Sequence, residues 1–185
     1  MYQSGTGTQV DDVQAMALYI KAAAQHDAYA ENNLGAMYHH GTGVQQNYVE
    51  ALRWYQKAAA QGLADAVSNL GVLYEDGLGV EKDYQQAAAL YTRAAERGII
   101  RGQYNLAMMY AAGRGVPLDY VNAYIWFARA SASGDSLAAR RLKDLATVMT
   151  PRQKEQAHTR LAERQSASVS ETEPHPFDAD AIEPR

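Results

Sequence analysis

The sequence predicts an all-α solenoid built from antiparallel helix pairs. A Tyr-x-x-Gly-x-Gly block returns at a fixed interval of 36 residues, without insertions. Apolar residues on either side of each block fall at helical spacing, and further glycines stand where one helix of each pair has to stop.

The block occurs at Tyr2, Gly5 and Gly7, then at Tyr38, Gly41 and Gly43, at Tyr74, Gly77 and Gly79, and at Tyr110, Gly113 and Gly115. Leu34-Gly35, Leu70-Gly71 and Leu106-Ala107 precede it. Ala15, Ala51, Ala87 and Ala123 follow it, and three positions later stand Leu18, Trp54, Leu90 and Trp126. Each of these is followed by an aromatic residue, in order Tyr19, Tyr55, Tyr91 and Phe127. So many coincidences at one interval cannot arise from composition.

Each unit reads as a helix A and a helix B. Helix A spans about residues 28–40, with Ala30, Leu34, Met37 and Tyr38 on one face. The glycine pair then ends it, because glycine accepts the positive φ that terminates a helix. Helix B starts after Asn47, Asp83 or Asp119, each suited to N-capping, and stops before Gly62, Gly98 or Gly134. No unit can bury both of its faces alone, so each must stack on the next. The recurring Asn33, Asn69 and Asn105 are expected to be buried hydrogen-bonding residues between units.

The units divide the chain into residues 1–27 (partial), 28–63, 64–99 and 100–135. The chain starts inside a unit: Met1-Tyr2 aligns with Met37-Tyr38, and helix B at about 11–25 lacks its helix A. The expectation is a natural protein that continues upstream, into more repeats and a targeting signal; a native start with a frayed first helix is the alternative. Residues 136–165 read as two capping helices. One is Ser136–Ala146, with Arg140, Arg141, Lys143 and Asp144 giving a polar face; the other starts at Thr150-Pro151 and ends near Arg164. Residues 166–185, rich in Ser, Glu and Pro, read as a disordered acidic tail.

The net charge is −4, and the tail accounts for all of it. A neutral body has no general attraction for nucleic acid or an anionic membrane. With no cysteine, disulfides and thiolate chemistry are excluded. No apolar run approaches the roughly 18 residues of a membrane helix, so membrane insertion is not expected. No signal peptide is visible, which reads as cytoplasmic for the sequence as it stands, and as periplasmic or secreted if an upstream signal has been lost.

These motifs resemble the Sel1-like repeat, a relative of the tetratricopeptide repeat, over residues 1 to about 135. Residues 28–62 match its pattern nearly in full; Asn47, Leu90, Ala107 and Ser131 are mild departures. The resemblance implies a right-handed superhelix whose variable helix A positions face inward. These are Tyr29, Asn32, Ala36, His39 and His40 in the second unit, and Asp65, Ser68, Val72, Glu75 and Asp76 in the third. The fourth supplies Arg101, Tyr104, Met108, Ala111 and Ala112. The implied function is a scaffold or adaptor that binds a partner protein or peptide along this strip. A structural spacer within a longer array is the alternative, and a β-lactamase-like hydrolase a remote one.

Catalytic and cofactor motifs do not support an enzyme. Ser-x-x-Lys, Ser-Asp-Asn, Lys-Thr-Gly, Gly-x-Ser-x-Gly and His-Glu-x-x-His are missing from the sequence. Gly-Thr-Gly-Val at 41–44 has no preceding strand pattern and no following Gly-Lys-Ser/Thr, so no nucleotide cofactor is expected. His39-His40 beside Glu75-Asp76 suggests a metal only superficially. Neighbouring residues on a helix diverge by about 100°, whereas a shared ion needs i, i+4 spacing.

Overall fold

A computed structural model describes residues 11–170, with side chains described through Glu163. Tyr2, Gly5, Gly7 and residues 171–185 of the expected acidic tail lie outside this range. Among the described residues there are nine helices and no strand. They are α1 (Asp12–Ala23), α2 (Ala28–His40), α3 (Tyr48–Ala60), α4 (Ala64–Asp76), α5 (Tyr84–Glu96), α6 (Ile100–Ala112), α7 (Tyr120–Ala132), α8 (Ser136–Val148) and α9 (Pro151–Ser170). From α1 to α8, helices adjacent in sequence pack together in turn, with α2 on α3, α4 on α5 and α6 on α7 forming the units.

Local chemistry sets the helix ends. The side chains of Asn47, Asp83 and Asp119 each accept two backbone N–H groups at the starts of α3, α5 and α7. Gly41, Gly77 and Gly113 end α2, α4 and α6 in the left-handed conformation, with φ of 72°, 72° and 63°. The loop that follows is closed by one backbone bond per unit. The N–H of Asn47, Asp83 or Asp119 donates to the carbonyl of Tyr38, Tyr74 or Tyr110 at 2.9–3.0 Å. At the shorter B-to-A turn between units, His26 takes a positive φ of 61° where later units place Gly62, Gly98 and Gly134.

Two glycine positions make the packing possible. Inside a unit, a Cβ on Gly35 would lie 2.5 Å from the Tyr55 ring, and one on Gly71 would lie 2.5 Å from the Tyr91 ring. Between units, the second loop glycine touches the start of the preceding helix B. Gly79 lies against the Tyr48 carbonyl group and Gly115 against that of Tyr84, in both cases with no room for a side chain. The core then runs along the stack through Leu34, Leu73, Leu106, Tyr55, Tyr91 and Phe127, all at most 2% exposed.

The C-terminal end closes by folding back. α8 packs on α7, and α9 returns to α7 as well, burying Ala157 fully and setting His158 edge-on to Tyr124 at 5.5 Å. Thr150 and Gln153 bond reciprocally at the start of α9: the Gln153 N–H donates to the Thr150 hydroxyl, and the Thr150 N–H donates to the Gln153 side chain. α9 continues past its expected end near Arg164 to Ser170. On α1, Leu18 is 51% exposed, whereas Leu90 and Trp126 at the same repeat position are buried.

Gly71→Ala is expected to destabilise the fold by about 1–3 kcal/mol, because the added methyl overlaps a fully buried ring. Urea unfolding measures the loss. Combining it with Tyr91→Leu, which clears the overlap, should cost less than the two separate losses together.

Candidate functional site

The first helices of three units line a groove of about 790 Å³. α2 contributes Tyr29, Asn32, Ala36, His39 and His40; α4 contributes Asp65, Ser68, Asn69 and Val72; α6 contributes Ile100 and Arg101. Tyr55 of α3 reaches the floor, and Leu63, Gly98 and Ile99 from the short turns complete the wall. Tyr29, Asp65 and Arg101 occupy the same position in successive repeats, so one row of the solenoid runs aromatic, acidic, basic along the rim.

An amide chain crosses the groove. The Arg101 guanidinium donates to Asn69 Oδ1 at 3.0 Å, and Asn69 Nδ2 donates to Asn32 Oδ1 at 2.9 Å. Asn69 therefore does bond between units, although it is half-buried rather than buried. Asn105 does so too, through a side-chain bond with Tyr91. Asp65 and Arg101, opposite in charge, form no ion pair within 4.0 Å; among the described residues that contact occurs only between Arg53 and Glu50.

His39 sits at the end of the groove. Its ring meets His40 at 4.6 Å and lies edge-on to Tyr48 at 5.5 Å and Tyr55 at 6.4 Å. Burial holds its pKa below the usual 6.5; His40 and Arg101 act in the same direction, and Asp76 opposes them. The Tyr55 ring is 2% exposed, and burial pushes its hydroxyl up to about 12 against the pull of Arg101. That hydroxyl has no hydrogen-bond partner among the described residues. One unit on, the equivalent Tyr91 hydroxyl donates to Glu75 Oε2 at 2.8 Å.

Of the fifteen strip residues, Glu75, Asp76, Tyr104, Met108, Ala111 and Ala112 lie off the groove, and Ser68 lines it from a buried position. Ser68 is 1% exposed, so it offers a partner little surface although it borders the groove. Glu75 is held by Tyr91. Tyr104 is half-buried, edge-on to Phe127 at 5.6 Å, and the Arg141 guanidinium of α8 lies against its hydroxyl. Met108 packs partly buried on the core, and Asp76 is exposed beside the groove. Reading recurrent residues as purely structural missed Tyr55 and Asn69. Comparing units would have found Tyr55: its positional partner is His39 where Tyr91 has Glu75 and Phe127 has Ala111. No group of three His, Cys, Asp or Glu suited to hold a metal occurs among the described residues.

The His39 environment has a pH consequence. The unfolded chain takes up the His39 proton before the folded chain does, so stability present above about pH 6.5 is lost as pH falls through the lowered folded value. Chemical denaturation of wild type and His39→Gln above and below that pH should show a smaller acid loss in the variant.

The Sel1 repeat model matches residues 1–27, 28–63, 64–99 and 100–135. Among solved structures, the chain is 35% identical to a Sel1 repeat protein from Oxalobacter formigenes, with a TM-score of 0.74 over 84% of this chain and 66% of that one. It is 34% identical to c5321, a protective antigen of uropathogenic Escherichia coli strains displaying an SLR fold, with a TM-score of 0.69 over 91% of this chain and 37% of that one. Helicobacter pylori cysteine rich protein B gives 27% identity and a TM-score of 0.57, over 75% of this chain and 100% of that one. The chain thus spans less than two thirds of the length of the first two. None of the curated proteins matches it. With four matched repeats over most of its length, the chain belongs to the Sel1 repeat family.

Proposed function

We propose that this chain is a non-catalytic scaffold that holds a segment of a partner protein in the groove across α2, α4 and α6. Sel1 repeat proteins generally serve as protein-interaction scaffolds. The observation that carries the reading for this chain is the groove itself. It crosses three units, and its rim is formed by positions that differ in every unit, whereas the stack is built from positions that repeat. Tyr29 is 70% exposed at one end, a large aromatic surface of the kind that anchors interfaces. Ala36, Val72, Ile99 and Ile100 give an apolar lining, and the Arg101–Asn69–Asn32 chain gives polar contacts suited to a peptide backbone. The described helices contain none long and apolar enough to cross a membrane.

Site-specific photo-crosslinking in the native cell tests this. A photoreactive residue in place of Tyr29 should trap a partner protein, and one in place of the exposed Arg93 of α5 should not. Equal trapping at both positions, or none at Tyr29, would remove the groove as the binding surface. The same contrast appears in mutants. Tyr29→Ala should reduce partner capture at least about tenfold with little change in melting temperature. Tyr104→Ala should instead destabilise the fold by about 3 kcal/mol or somewhat less, since that ring is half-buried against Phe127.

A further inference from the structure

We infer that the groove is built to take one acidic side chain of the partner segment, seated on the Tyr55 hydroxyl and the Arg101 guanidinium. The inference rests on the scaffold reading and specifies the chemistry of its ligand. The protein supplies its own template one unit away. There, Tyr91 is buried as Tyr55 is, and its hydroxyl donates to the Glu75 carboxylate at 2.8 Å and also bonds with Asn105. Tyr55 has neither partner. His39 stands at the position of Glu75, and Asn69, at the position of Asn105, is drawn instead to Asn32 and Arg101. The Tyr55 ring is buried while its hydroxyl opens on the groove floor with no protein partner, so its O–H is available to an acceptor on a ligand.

The surrounding groups select an anionic acceptor. Arg101 uses one N–H on Asn69 and keeps the other donors of its guanidinium for a ligand. Its charge already acts on both Tyr55 and His39. A carboxylate between these groups would gain charge-assisted bonds from the Arg101 guanidinium and the Tyr55 hydroxyl. Asp65 on the rim and Asp76 beside His39 repel a second negative charge, so the site fits a single acid rather than an acidic run. The groove stays open across three units, which suits the side chain of a segment passing through it more than the end of a chain.

The test uses the full chain. A displayed library of random peptides is panned on it, and the enriched sequences are synthesised and measured by fluorescence anisotropy. Selected peptides should share one Asp or Glu, and changing it to Asn or Gln should weaken binding about tenfold. Tyr55→Phe keeps the buried ring and should weaken the acidic peptides about tenfold, while leaving their Asn or Gln forms unaffected. His39→Glu rebuilds the Tyr91–Glu75 arrangement inside the second unit and should exclude the acidic peptides while leaving the melting temperature intact or raised. Peptides that lose affinity on Tyr29→Ala but not on Asp/Glu→Asn/Gln would overturn this inference and leave the scaffold reading standing. Dependence on a free C-terminal carboxylate, abolished by amidation, would overturn the side-chain assignment. Failure to select any peptide sensitive to Tyr29→Ala would overturn both readings.

Discussion

The contact between each loop's second glycine and the preceding helix B sets the geometry of the array. Gly79 and Gly115 lie so close to the Tyr48 and Tyr84 carbonyl groups that even a methyl group would displace one unit from the other. The contact is backbone on backbone, so side-chain repacking cannot relieve it. It also explains the constancy of the period. An inserted residue in one loop would move its glycine off the neighbouring helix and disturb every unit beyond. The first glycine of the pair does different work, ending helix A at positive φ and aiming the loop. One short motif thus fixes both the shape of a unit and its attachment to the previous one.

Once the stacking is held by repeated positions, the remaining positions of helix A are free to differ, and the groove combines them with the recurrent Tyr55 and Asn69. Their freedom is unequal. Where the next unit or the cap comes close, the side chain is drawn into packing, as with Ser68 and Tyr104. Between α2 and the start of α6, the same repeat positions line an open groove. Beyond the groove, α8 and α9 pack on α7, and Arg141 of α8 engages Tyr104 of α6.

Helix boundaries were legible in the sequence because their causes are local. Asn47, Asp83 and Asp119 cap the helix that begins one residue later, and Gly41, Gly77 and Gly113 end the one before. The groove was only partly legible because its causes are not local. The burial of Ser68 comes from tertiary packing, and the role of Tyr104 depends on Arg141, a residue of the cap. Repetition also misled in one respect. The Tyr55 ring is buried as its recurrence implies, while its hydroxyl reaches the groove, because one side chain can pack with one end and present a polar group at the other.

That division within a single side chain shows how a regular solenoid acquires an irregular site. The aromatic position is filled by Tyr55, Tyr91 and Phe127, all buried, so packing does not distinguish the three units. The residue it faces does: His39, Glu75 and Ala111 in turn. With Glu75 the hydroxyl is satisfied within the protein, and with Ala111 there is no hydroxyl to satisfy. With His39, whose pKa burial lowers, the hydroxyl is left with Arg101 nearby and no carboxylate partner. One change at a position free to vary therefore turns a packing contact into a recognition element without altering the stack that carries it.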